Sequence, residues 1–172
     1  YTGWYTLSLH DALPISSFFT GEEVIRAVND VTFTIGKGEV FGLAGESGSG
    51  KTVTAHSIMR LVHPPGRIVS GRIVFEGRDL LELSEKQMEE VRGSRIGMVF
   101  QEPMTALNPV LRIGEQIAET IEIHGVRRGN GVRERTLELL RQVGFDDPEK
   151  RYIQYPHQLS GGQRQRVLMA MA

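Results

Sequence analysis

Residues 16–172 predict an α/β fold with a helical subdomain, on three observations. Val40-Phe41-Gly42-Leu43-Ala44 is a short, nearly continuous apolar run ahead of a glycine-rich stretch, the pattern of a buried parallel strand. Upstream, 24–28 and 31–35 are β-branched runs that predict an N-terminal antiparallel β subdomain. From Ile113 onward the apolar residues recur with the period of a helix rather than of a strand.

In chain order, 24–28 and 31–35 read as strands parted by Asn29-Asp30, and Gly36-Lys37-Gly38-Glu39 as a turn. The buried strand covers 40–44, and 51–62 reads as a helix ended by Pro64-Pro65. A strand at 72–75 leads into a turn at Glu76-Gly77-Arg78-Asp79. Ser84-Glu85-Lys86-Gln87 has capping-box spacing, so a helix is expected to start at Glu85, with a further strand at 96–100. Ile113, Ile117 and Ile121 line a helix that Gly125 stops. Val132, Thr136, Leu137, Leu140 and Val143 line a second helix ending at Gly144, and Pro148 opens a short third. The helical subdomain thus spans about 108–160.

Composition narrows the function. A formal net charge of -1 gives no global basic field for nucleic acid or anionic lipid, so any polyanion site must be local and no nucleic-acid partner is expected. The absence of cysteine excludes disulfides, thiolate metal sites and cysteine nucleophiles. No apolar run reaches the roughly 18 residues a membrane span needs. The stretch from Thr6 to Ile15, TLSLHDALPI, matches codon for codon the translation of a common DNA sequencing adapter. Residues 1–15 are therefore expected to be a translated scar outside the fold, with the native frame beginning near Ser16.

Gly45-Glu46-Ser47-Gly48-Ser49-Gly50-Lys51-Thr52 satisfies the Walker A pattern G-x-x-x-x-G-K-[ST]. Glycines let the backbone turn tightly and aim several N–H groups at phosphate, and the following helix points its positive end the same way. Lys51 adds a full charge near the β and γ phosphates, and the Thr52 hydroxyl is placed to bind Mg²⁺. Downstream, Leu159-Ser160-Gly161-Gly162-Gln163 precedes a second predicted helix. Ser160 can cap that helix, while Gly161 and Gly162 leave backbone N–H groups open to an approaching anion.

LSGGQ after a Walker A motif resembles the signature of ABC ATPases. The resemblance implies a P-loop NTPase core in which Ser160, Gly161, Gly162 and Gln163 meet ATP held by the Walker A loop of a second ATPase subunit. Val99-Phe100-Gln101-Glu102-Pro103 resembles the family's Q-loop, which implies that Gln101 ligates Mg²⁺ and positions the attacking water. An adenine-stacking aromatic is implied upstream: Phe19 is the first candidate and Phe18 the second. Three stretches, 64–71, 101–109 and 155–159, are most similar to the ATPases of oligopeptide and dipeptide import, although nickel and oligosaccharide importers share much of them. That resemblance implies two integral-membrane permease subunits docked on 102–109 and the helical subdomain. It further implies an extracytoplasmic substrate-binding protein as an indirect partner, and a peripheral position on the cytoplasmic face of the inner membrane. His157 precedes the signature, whereas the family's switch histidine lies far beyond it, so His157 is not assigned a catalytic role. A soluble ABC ATPase of DNA repair or translation is the alternative. The sequence stops inside the helix after the signature, so the family's Walker B strand, catalytic glutamate and switch histidine are expected to be missing and this piece to be inactive in hydrolysis.

Overall fold

The computed structural model describes residues 7–10, 16–21, 23–29, 31–100, 106–125 and 129–172. They form two compact units, Tyr1–Glu89 and Glu90–Ala172.

The first unit holds two antiparallel sheets. Strands β1 (Leu7–His10), β4 (Phe33–Ile35), β6 (Arg72–Phe75) and β7 (Arg78–Asp79) form one, in the order β4-β1-β6-β7. Strands β2 (Ser16–Thr20), β3 (Glu23–Val28) and β5 (Gly66–Ile68) form the other, in the order β3-β2-β5. β6 and β7 are joined by Glu76 and Gly77, both at positive φ, the geometry that matches strand twist in a two-residue hairpin. Ile73, Leu80 and Met88 are fully buried.

Three expectations change here. The 7–10 segment, expected to lie outside the fold, is an inner strand of the four-stranded sheet, with Leu7 opposite both Ile35 and Phe75. Ladder bonds are made by the backbone whatever the coding origin of the residues, and leucine at Leu7 and Leu9 has the period of two that a strand needs. The runs 40–44 and 96–100, expected as strands, carry no ladder beyond one isolated bridge between Arg92 and Ile96. Val40 is 98% exposed, and Phe41, Leu43, Val99 and Phe100 are also exposed. Apolar sequence favours burial, but a strand forms only where a neighbour takes its N–H and C=O groups, and no such neighbour stands among the described residues. Third, the helix expected over 51–62 is shorter. Helix α1 (Lys51–Ile58) ends with the Arg60 N–H donating to Ser57 O (3.0 Å) and the Leu61 N–H to His56 O (2.8 Å). This is a Schellman ending with Arg60 at φ 52, where glycine is usual. The Arg60 guanidinium donates to Leu80 O (3.3 Å) and Leu83 O (2.5 Å) and pairs with Glu85, which anchors that residue.

α2 (Glu85–Val91) starts where its capping box requires. The Ser84 N–H donates to Gln87 Oε1 (2.9 Å) and the Gln87 N–H to Ser84 Oγ (3.4 Å).

The second unit is helical: α3 (Ile113–Ile123), α4 (Asn130–Gln142), α5 (Pro148–Tyr152), a 3₁₀ turn at Pro156–Gln158, and α6 (Gly161–Met171). Its core is the predicted stripe. Ile113, Ile117, Leu140 and Val167 are fully buried, with Ile121, Val132, Phe145, Leu159 and Leu168 around them. Gly125 and Gly144, at φ 66 and 83, end α3 and α4 as expected.

Candidate functional site

The loop Gly45–Gly50 is almost wholly exposed and is tied down by its own lysine. Lys51 Nζ donates to Gly45 O (2.8 Å), Glu46 O (2.6 Å) and Ser49 Oγ (3.2 Å), so the ammonium sits at the centre of the curl. The Ser49 N–H donates to Glu46 O (3.2 Å), closing the turn. All three loop partners of Lys51 are neutral oxygens, so a phosphate oxygen would add the attraction of a full negative charge to a hydrogen bond that the loop oxygens make without it. Gly50 caps α1 at φ 85, and its carbonyl accepts from the Thr54 N–H (2.8 Å) and Thr54 Oγ1 (3.0 Å). A Cβ on Gly50 would overlap the carbonyl oxygen of Ala27, so glycine is needed there for both dihedral and space. Thr52 is exposed beside the loop.

That Gly50–Ala27 approach connects the loop to the aromatic candidates. Ala27 lies on β3 where Ser16 and Ser17 of β2 pair across a bulge, and Phe19 is two residues further along β2, about 7 Å at strand rise. The two phenylalanines are used differently. Phe18 lies opposite Gly66 and covers it, its Cε1 2.6 Å from where a Gly66 Cβ would stand. Phe19 lines a pocket of about 500 Å³ with Pro64, Pro65, Gly66 and Arg67. Both rings are half-buried, and the Arg67 guanidinium carbon stands 4.0 Å from the centroid of Phe19.

In the second unit, Ser160 caps α6 as expected. Its Oγ accepts from the Gln163 N–H (3.3 Å), and Gln163 Oε1 accepts from the Ser160 N–H (3.0 Å). The side chains of Ser160 and Gln163 therefore hold each other. A Cβ at Gly161 or Gly162 would meet nothing within 4 Å, so the chain's own packing does not require glycine at either position. The helix is locked from behind: Arg164 Nε donates to Pro156 O (2.7 Å), and Arg166 Nη1 to Gly144 O (2.7 Å) with its guanidinium over Phe145. Gln101, the candidate for metal and water, lies outside the described residues.

Among the residues that line the aromatic pocket, Arg67 is the charged one, and it falls within the 64–71 stretch without having been singled out there. It becomes visible only once the β2–β5 register sets it beside Phe19.

A glycine loop feeding a helix in an α/β unit, together with a capped, glycine-opened helix in an all-α unit, defines a nucleotide-binding protein of P-loop type. The sequence model of the ABC transporter family matches residues 28–172, and the chain belongs to that family. It is 52% identical over 167 residues to the "Probable peptide ABC transporter ATP-binding protein y4tR" of Sinorhizobium fredii, covering 95% of this chain and 50% of that one. It is 50% identical over 157 residues to the oligopeptide transport ATP-binding protein OppD of Bacillus subtilis, covering 91% of this chain and 44% of the relative. The chain thus spans about half the length of these curated relatives. Among solved structures, the dimeric ATP-binding cassette MJ0796 in a post-hydrolysis state with ADP and Pi superposes at a TM-score of 0.81 and 29% identity, over 96% of this chain and 68% of that one. No helix among the described residues is long and apolar enough to cross a membrane.

Proposed function

We propose that the intact protein is the ATP-binding and hydrolysing motor subunit of an ABC importer of di- or oligopeptides, and that this chain carries the parts that grip nucleotide. In this reading Lys51 exchanges its three loop oxygens for β- and γ-phosphate oxygens, and the backbone N–H groups of Gly45–Thr52 cradle the rest. Thr52 and Gln101 hold Mg²⁺, and Phe19 receives the adenine. Ser160, Gly161, Gly162 and Gln163 close over the nucleotide of a second ATPase subunit. Two membrane permeases dock on the helical subdomain at the cytoplasmic face, with an extracytoplasmic binding protein as the indirect source of cargo. The peptide and oligopeptide transport names of the relatives support the cargo class.

The observation that carries the reading is the open backbone at Gly161 and Gly162. Two glycines open a helix where nothing within the chain needs them, beside a Ser160–Gln163 pair that is already satisfied. That space suits a ligand presented from outside, as a nucleotide on another subunit would be. Sedimentation velocity with and without Mg-ATP tests it. ATP is expected to convert monomer to dimer, Lys51→Ala to weaken ATP binding at least ~10-fold through the lost charged hydrogen bonds, and Gly161→Val to leave binding intact while abolishing the dimer. Tight ATP binding with no change in mass would refute the sandwich.

A further inference from the structure

Helix α6 is held by two guanidinium groups, each on the carbonyl of a different loop. Arg164 Nε donates to Pro156 O at 2.7 Å, and Arg166 Nη1 donates to Gly144 O at 2.7 Å. Residues two apart on a helix stand about 200° apart around its axis, so the two anchors pull in opposed directions. A single anchor would let the helix roll, whereas an opposed pair fixes its rotation. That rotation matters at the first turn, whose N–H groups have no carbonyl partner inside the helix. Gly161 lies three residues before Arg164 and Gly162 four before Arg166, so each glycine stands one turn from an anchor on its own face.

The Arg166 anchor is built from two parts. Gly144, at φ 83, closes α4 with its N–H donating to Arg141 O (2.9 Å) and the Phe145 N–H donating to Leu140 O (3.1 Å). This Schellman ending uses the two N–H groups and presents the Gly144 carbonyl to Arg166. The same guanidinium stands 4.9 Å from the centroid of Phe145, and the Arg151 guanidinium 5.7 Å from it. Phe145 is 4% exposed, so its ring is a fixed wall against which a planar cation packs.

We propose that Arg166, together with Arg164, is a positioning residue for the start of α6: by fixing the roll of the helix, it aims the Gly161 and Gly162 amides at nucleotide held on a second subunit. The inference rests on the reading of that turn as a nucleotide site acting between subunits. Arg166 then governs ATP-dependent dimer formation without contacting phosphate, and leaves ATP binding at the chain's own Lys51 loop unchanged.

Sedimentation velocity with Mg-ATP reads the dimer, and calorimetric titration of ATP reads the Lys51 loop. Both are run on the 172-residue chain at a temperature where circular dichroism shows every variant folded. Arg166→Ala is expected to weaken dimer formation ~10-fold, the size of a lost charged hydrogen bond, with ATP affinity within ~2-fold of wild type. Arg164→Ala should behave alike. Arg166→Lys keeps a donor and loses the planar stack, so a ~3-fold loss is expected, and the same for Phe145→Leu. The Phe145→Leu, Arg166→Ala double variant should be no weaker than Arg166→Ala, because the ring acts through the guanidinium. Arg141→Ala removes an equal charge from a residue that pairs with Glu149 at 2.8 Å, and should dimerise as wild type does. If Arg166→Ala does not fold, the expected ~3-fold gap between Arg166→Lys and Arg141→Ala carries the same comparison. Folded Arg166→Ala that dimerises like wild type would reduce the anchor to a structural part and overturn the inference. So would wild-type dimerisation by Arg166→Lys, an equal loss in Arg141→Ala, or losses that add in the double variant. Those outcomes leave the nucleotide sandwich standing. An unmodified chain that binds ATP without dimerising would remove that reading and the inference with it.

Discussion

Two single residues set conditions that their neighbours cannot relax. Gly50 combines a left-handed φ with direct approach to the Ala27 carbonyl, so Gly50→Ala adds both backbone strain and overlap. We expect a loss of about 3 kcal/mol, measurable as a lowered urea midpoint, with the loop unable to keep its curl. Ser160 is a simpler case. Ser160→Ala removes the acceptor for the Gln163 N–H and should lower stability by about 1 kcal/mol in thermal denaturation, while Ser160→Asp keeps the cap and should restore most of it. Both positions were legible from sequence, because the Walker A pattern calls for glycine at one and helix capping favours a short side-chain acceptor at the other. Arg67 was not. Its place over the Phe19 ring depends on cross-strand register, which residue spacing along one strand does not encode.

At the scale of elements, the helices follow from periodicity and the strands do not follow from composition alone. Ile117 is fully buried in the α3 stripe, and Ile117→Ala should cost 2–5 kcal/mol, roughly. Val40→Thr, at 98% exposure, should change stability by less than about 0.5 kcal/mol in the same urea experiment. By hydrophobicity both residues look like core. Ile113, Ile117 and Ile121 carry their own proof, since a helix satisfies its backbone internally and only its stripe needs a partner. The 40–44 and 96–100 runs have strand-like residues, but their backbone groups depend on neighbours that no local pattern specifies. The converse applies to Leu7–His10 and Gly66–Ile68, which were not expected as strands: β4 and β6 hold the first from both sides, and β2 alone holds the second.

For the molecule as a whole, low charge and exposed apolar runs act together. A net charge of -1 and a pI near 6.6 leave little electrostatic repulsion at neutral pH. Val40, Leu43 and Val99 meanwhile present apolar surface. The chain should therefore scatter light most strongly near pH 6.6 and clear as pH moves away from it. Val40→Ser with Leu43→Ser should reduce the scattering without shifting the unfolding midpoint, whereas scattering that ignores both pH and these substitutions would place the cause elsewhere.

The reciprocal grip of Ser160 and Gln163 has a thermodynamic consequence. Because the start of α6 is already ordered by its own side chains, an anion arriving there immobilises little that was previously loose. On the proposed reading its selectivity comes from main-chain amides, which sense negative charge but not the identity of a heterocycle. Discrimination among nucleotides would accordingly fall to the β2 side of the molecule, and the two ends of the chain could be tuned by substitution independently of one another.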